Sequence, residues 1–147
     1  MAAKQKQIAI ISSGFWADIV TNLENDCIKV LQAGGIKVKQ IEKYRVPGSF
    51  EIPLLAKKLA KKKKYSAIIA FGAIHKGQTY HFELVANECA RGCMQVGLDY
   101  EIPVIFEVMA VYDIKHAIDR STSGNKDNRG VDAANATLEM LKVLSKI

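Results

Sequence analysis

Ala67-Ile68-Ile69-Ala70-Phe71 is an unbroken apolar run that meets Gly72-Ala73-Ile74-His75-Lys76-Gly77-Gln78, and beyond it Phe82, Val85, Cys89 and Val96 recur at helical spacing. A short apolar run without polar alternation suits a parallel strand buried on both faces. The glycines mark a loop and the repeat marks a long helix. The same alternation extends to either side. Ile8 to Ile11 reads as a strand, broken by Ser12-Ser13-Gly14, and Ile19, Leu23, Cys27, Val30 and Leu31 as the helix after it, ended by Gly34-Gly35. Ile36 to Glu42 is the second strand, Val46-Pro47-Gly48-Ser49 a turn, and Leu54, Leu55 and Leu59 the next helix. Pro53 falls near that helix's start, where its missing N–H matters least. Ile102 to Val108 reads as the fourth strand and about Ile114 to Ile118 as a short helix. A polar loop spans Arg120 to Gly130, and the last helix carries Val131, Ala134, Leu138, Leu141 and Leu144.

Strands separated by helices imply right-handed crossovers and helices on both sheet faces. The expected fold is α/β: a three-layer sandwich with a central, mostly parallel sheet of four or five strands, flavodoxin-like in outline. The 147 residues make one domain, 1–147, large enough to bury a core without staples. No stretch approaches the roughly 20 apolar residues of a membrane span, and Met1 to Lys6 contains no apolar leader core. Cys27, Cys89 and Cys93 form no paired framework and read as small buried hydrophobes in a reducing, cytoplasmic setting. No two histidines stand at zinc spacing, so no metal is expected. The net charge of +6 is concentrated in Lys57, Lys58 and Lys61 to Lys64. A solvated helix end explains that run more simply than a nucleic-acid surface, because no aromatic residues interleave it.

Ligands of open α/β sheets bind beyond the carboxyl ends of the strands. Here those ends carry Ser12 to Trp16, Val46 to Glu51, Gly72 to His81 and Met109 to Asp113. The glycine-bearing turn before the third helix offers free N–H groups to an anion, with Lys76 and Thr79 beside them. His81 lies in the helix's first turn as a candidate proton carrier. Glu83, two residues on, points to another face of the helix, and His75 is a weaker candidate. Gly48 lets the chain pass close to a ligand, while Ser49, Phe50 and Glu51 can receive hydroxyls or a heterocycle edge. Phe15 and Trp16 either stack on a flat ring or belong to the core. Arg120, Lys126 and Arg129, near Asn125 and Asn128, form either an anion clamp or a solvated loop.

With these residues in place the chain resembles the 6,7-dimethyl-8-ribityllumazine synthases of riboflavin biosynthesis, over nearly its whole length. The resemblance rests on Val46-Pro47-Gly48-Ser49-Phe50-Glu51-Ile52-Pro53 and on Lys76-Gly77-Gln78-Thr79-Tyr80-His81-Phe82-Glu83-Leu84-Val85-Ala86-Asn87-Glu88. Ile102-Pro103-Val104-Ile105-Phe106 and the segment from Asp119-Arg120 to Asn128-Arg129-Gly130 add to it. It implies condensation of 5-amino-6-ribitylamino-uracil with 3,4-dihydroxy-2-butanone 4-phosphate, without metal or organic cofactor. It also implies sites between the subunits of a homopentamer, which in this family stays free, pairs into decamers or builds sixty-subunit shells. His81 then matches the proton-transfer histidine, with Glu83 in support. Arg120 matches the phosphate-gripping arginine, joined by Thr79, Gly77, Gln78 and the basic Lys76 and Arg129. Phe15 matches the ring-stacking aromatic, with Trp16 beside it. Ser49, Phe50 and Glu51 match the ribityl and ring-edge positions and Phe106 the aromatic lent by a neighbouring subunit; Ile74 is counted with the substrate-binding residues.

The chain departs from the family pattern at four places. Gly14 replaces an arginine, Trp16 a small polar residue and His75 an aliphatic one, and the loop after Arg120 is about one residue longer. Two alternatives remain beside the synthase reading: a riboflavin synthase of the related fold, and a flavin- or lumazine-binding assembly subunit without turnover.

Overall fold

The computed structural model describes residues 6–147; Met1 to Gln5, where no apolar leader was read, lie outside them. The elements in chain order are β1 (Ile8–Ser13), α1 (Ala17–Ala33), β2 (Ile41–Val46), α2 (Ile52–Lys61), β3 (Ala67–His75), α3 (His81–Tyr100), β4 (Val104–Val111), α4 (Ile114–Ser121) and α5 (Arg129–Leu144). The four strands form one sheet in the order β2-β1-β3-β4, every neighbouring pair parallel. This is the expected three-layer α/β sandwich.

Strand alternation divides the apolar runs between two cores. Ile8, Ile10, Ala67, Ile69 and Phe71 pack with α1, α4 and α5, whereas Ala9, Ile11, Ile68 and Ala70 pack with α2 and α3. Both faces of β1 and β3 are therefore buried, which is why these strands read as continuous apolar runs. Close packing of α1 on α5 depends on Gly130: a Cβ there would stand 2.4 Å from the Leu23 carbonyl oxygen. No helix among the described residues is long and apolar enough to cross a membrane. In the lysine run, Lys64 pairs with Glu42 at the sheet edge, and Lys57, Lys58 and Lys61 are exposed.

Several boundaries differ from the sequence reading. The second strand is Ile41–Val46 rather than Ile36 to Glu42. Ile36 is buried because its N–H closes the end of α1 on the Leu31 carbonyl, 3.0 Å away. Val38–Gln40 then form a 3-10 turn, fastened by the Lys37 N–H to Gln40 Oε1 at 2.8 Å. The edge strand β2 hides little of itself, so its polar residues masked it. Strand β3 runs through Gly72 to His75 because β4 pairs with it that far, Gly72 opposite Val108 and His75 opposite Val111. Correspondingly β4 spans Val104–Val111 rather than beginning at Ile102. The short helix extends to Ser121, started by Asp113, whose carboxylate accepts the Lys115 N–H at 2.9 Å. On α5 the buried stripe passes through Ala133, Ala134, Thr137 and Leu141, and Leu144 is exposed; on α2, Leu54 faces solvent.

Candidate active site

A cavity of about 690 Å³ opens at the carboxyl ends of β1 and β3. It is lined by Phe15 and Trp16 after β1, Gly48 to Glu51 before α2, Ala73 to His75 at the end of β3, and His81, Leu84, Val85 and Glu88 on α3. Its size and mixed lining are those of a small-molecule site.

Each wall has a local cause. Gly14 donates its N–H to the Val46 carbonyl at 2.7 Å, tying the end of β1 to β2. Arg45 braces the same corner: its Nη2 meets the buried Glu24 Oε1 at 2.7 Å, and its Nη1 lies 3.5 Å from the Ser13 carbonyl oxygen. Phe15 turns outward, 70% exposed, and a Cβ at Gly48 would stand 3.4 Å from its ring. Trp16 is 44% exposed. Neither aromatic belongs to the core. Ser49–Glu51 form a 3-10 turn that leads into α2 and holds Ser49 buried. Gly72 lets this turn lie on the sheet, since a Cβ at that position would fall 2.6 Å from Ser49 Oγ and 3.1 Å from Ser13 Oγ. His81 begins α3, and its N–H points to Thr79 Oγ1 at 3.4 Å.

Of the residues singled out in the sequence, the cavity brings together Phe15, Trp16, Ser49, Phe50, Glu51, Ile74 and His81. It also takes in Gly48 and His75, the weaker histidine candidate, and adds Leu84, Val85 and Glu88. The last three stand three, four and seven residues after His81, one face of a helix, and that spacing is the signal that would have found them.

The remaining candidates stand elsewhere in the chain. Lys76 Nζ pairs with Glu83 Oε1 at 3.3 Å and lies 5.4 Å from the Tyr112 ring centroid. The other Glu83 oxygen is buried and has no hydrogen-bond partner in the described chain. Gly77, Gln78 and Thr79 are exposed on the short loop before α3. Arg120 Nη1 donates to the His116 carbonyl at 3.0 Å, and Arg129 Nη1 pairs with Asp132 Oδ2 at 3.4 Å. Beside Arg129 and Asp132, burial pushes the Glu107 carboxyl up to about 7; Arg129 opposes the shift and Asp132 adds to it.

Phe106 sits opposite Ala70 in the ladder, five positions before the Val111–His75 pair. At the rise of a strand that is about 17 Å from the sheet end. It lines a second, apolar cavity of about 490 Å³ along β4, with Met94, Leu98, Met140 and Leu144.

The loop between α4 and α5 is exposed at 122–124 and at Lys126 and Asp127, but it is anchored from beneath. Asp26, buried on α1, accepts hydrogen bonds from Ser123 Oγ at 2.8 Å and from Asn128 Nδ2 at 2.8 Å. Asn128 Oδ1 in turn caps α5 through the Val131 N–H at 3.0 Å. Nothing in the loop itself announced Asp26. The nearest signal was an acid set beside Cys27 on the apolar stripe of α1. All three cysteines are buried and free, and burial, helped by Glu24, pushes the Cys27 thiol up to about 12.

Residues 5–145 match the model of the family described as 6,7-dimethyl-8-ribityllumazine synthase. The chain is 37% identical over 147 residues to the 6,7-dimethyl-8-ribityllumazine synthases of two Coxiella burnetii strains, CbuG_Q212 and RSA 493 / Nine Mile phase I, covering 100% of this chain and 97% of each relative. A whole-chain match of this extent, on a parallel α/β sandwich with an open cavity at its strand ends, means that the chain belongs to the 6,7-dimethyl-8-ribityllumazine synthase family of enzymes.

Proposed function

We propose that this protein serves riboflavin biosynthesis by condensing 5-amino-6-ribitylamino-uracil with 3,4-dihydroxy-2-butanone 4-phosphate, giving 6,7-dimethyl-8-ribityllumazine, phosphate and water. The observation that carries the reading is the convergence of Phe15, Ser49, Phe50, Glu51 and His81 on one cavity. That set suits a flat ring with a hydroxylated chain. The pyrimidine lies against Phe15, and its edge and ribityl chain are received by Ser49 to Glu51. Its amine attacks the ketone, and His81, at the mouth of α3, carries the protons exchanged during imine formation and phosphate loss. Arg120, Thr79 and the N–H groups of Gly77 and Gln78 hold the phosphate through charge-assisted hydrogen bonds, with Lys76 and Arg129 adding positive charge. Glu83, paired with Lys76, sets the field beside the histidine rather than touching the reacting atoms.

The site is completed by a second copy. Phe106 is about 17 Å along the strand from its own cavity's end, and the face around it exposes Met94, Leu98 and Met140. A contiguous apolar face of this kind supports an interface. In this reading Phe106 enters the neighbour's cavity; the count of five subunits comes from the family resemblance alone, and the Ser121-to-Gly130 loop governs any further stacking into decamers or shells. Free buried cysteines suit the cytoplasm as the place of action. Fluorescence of the bicyclic product, followed after mixing the purified protein with the two substrates, tests the reading. A folded protein that leaves the uncatalysed rate unchanged would refute it.

A further inference from the structure

Trp16 breaks the local rules of its position. It is the N-cap of α1, a place that favours Ser, Thr, Asp or Asn in extended backbone. The indole caps nothing, and its backbone is left-handed, φ 56° and ψ 50°. Among the described residues three non-glycines have positive φ: Trp16, Lys63 and Glu101. Lys63 and Glu101 follow the ends of α2 and α3, where a left-handed residue is an ordinary way to stop a helix. Trp16 stands at a helix start, where no such need exists. Strained residues persist where the surroundings hold them, and they cluster at ligand sites. Core packing does not account for this one, since the side chain is 44% exposed and lines the cavity. Its ring meets His75 edge-on, with centroids 6.2 Å apart and planes at 73°. Phe15, the preceding residue, lies instead against the Gly48 turn. Two adjacent aromatics thus cover two different walls of one cavity.

We propose that Trp16, held edge-on by His75, is a specificity-determining residue for the flat ring of the pyrimidine substrate, forming with Phe15 a two-walled aromatic slot. The proposal rests on the reaction assigned above. A planar uracil has faces for aromatic contact, which are worth more than their buried area alone. The butanone phosphate has no ring and gains nothing from the indole. His75 is a positioning residue that acts through Trp16.

Trp16→Gly and Trp16→Asn relieve the left-handed backbone and leave the core untouched, so the melting temperature holds or rises. Calorimetric titration with 5-amino-6-ribitylamino-uracil should show binding roughly 3- to 10-fold weaker in both variants. Trp16→Phe, which keeps a ring, should recover most of the loss. Titration with 3,4-dihydroxy-2-butanone 4-phosphate should match the parent throughout. His75→Leu should weaken pyrimidine binding by a smaller factor and add nothing to Trp16→Gly, the pattern of one residue working through another. Trp16 is the chain's single tryptophan, so its fluorescence in the parent protein should change as the pyrimidine binds. Parent-like pyrimidine affinity in Trp16→Gly overturns the proposal, as does equal loss of both ligands with a lowered melting temperature. Trp16-dependent binding without lumazine formation overturns the reaction and leaves the slot standing. Lumazine formation with undiminished affinity in the variants does the reverse, and a parent that binds neither ligand overturns both.

Discussion

Gly72→Ala perturbs the floor of the cavity with a single methyl group. That carbon would stand 2.6 Å from Ser49 Oγ and 3.1 Å from both Ser13 Oγ and Val108 Cγ1. Ordinary contact begins at 3.4 Å, so the nearest atom must retreat by about 0.8 Å. Ser49 and Ser13 are buried, at 5% and 0% exposure, and Gly72 is locked in the ladder opposite Val108. The sheet side cannot yield, so relief must come from Ser49, which can move only toward the cavity that it lines. Overpacking of this kind costs about 1–3 kcal/mol, which for a chain of this size lowers the melting temperature by roughly 3–10 °C. The effect also reaches the site. Ser49 opens the 3-10 turn that carries Phe50 and Glu51, so its retreat moves the whole ring-edge wall. Misplacement by a fraction of an ångström to 1 Å should lower kcat/KM about 10-fold or more. Thermal melts and steady-state rates on the same preparation check both effects. Adding Ser49→Gly removes the clashing oxygen and should restore the melting temperature but not the rate. A Gly72→Ala protein with the parent's melting temperature and the parent's kcat/KM would show that the close approach of turn and sheet does not shape the site.

Other substitutions separate the remaining roles. His81→Ala should keep fold and pyrimidine affinity while lowering the maximal rate by roughly 10-fold or more; a parent rate in steady-state assays would make His81 structural. Arg120→Ala should weaken the butanone phosphate far more than the pyrimidine, since lysine or alanine cannot reproduce a guanidinium's paired hydrogen bonds; equal losses in separate titrations would contradict the phosphate role. Glu107 supplies the pH dependence: its folded value of about 7 lies above the ordinary 4.5, so the folded state holds the extra proton between them. Stability from this group therefore falls as pH rises from about 4.5 through 7. Glu107→Gln should flatten that slope and raise the melting temperature at pH 8 but not near pH 4.5, and an unchanged profile would show that the half-buried Glu107 does not hold the extra proton.

How much of this was legible in the sequence follows from what each residue touches. Ala67 to Phe71 stood out because both faces of β3 are covered, so burial alone dictated every side chain. The end of that strand did not, because Gly72 resembles a loop residue until Ser49 and Val108 are seen crowding it. Strand β2 was misplaced by several residues because an edge strand hides only part of itself, while Ile36, buried at a helix stop, mimicked a strand. The cavity's motif residues were found because Ser49 to Glu51 and His81 lie close together in sequence with their supporting turns. Leu84, Val85 and Glu88 stood in the family motif and on the helical face of His81 but had no chemistry of their own to single them out, and the sequence could not show the ring contact of His75 with Trp16, 59 positions away in the chain. Asp26 was invisible for the same reason, since its partners Ser123 and Asn128 are 97 and 102 residues distant.

The most direct measurement follows lumazine fluorescence and released phosphate together, in one reaction of the purified protein with 5-amino-6-ribitylamino-uracil and 3,4-dihydroxy-2-butanone 4-phosphate. The cavity built by Phe15, Ser49, Glu51 and His81 predicts saturable formation of lumazine above the uncatalysed rate, with phosphate released in equal amount. Binding of both compounds without such acceleration, or phosphate release without lumazine, would contradict it.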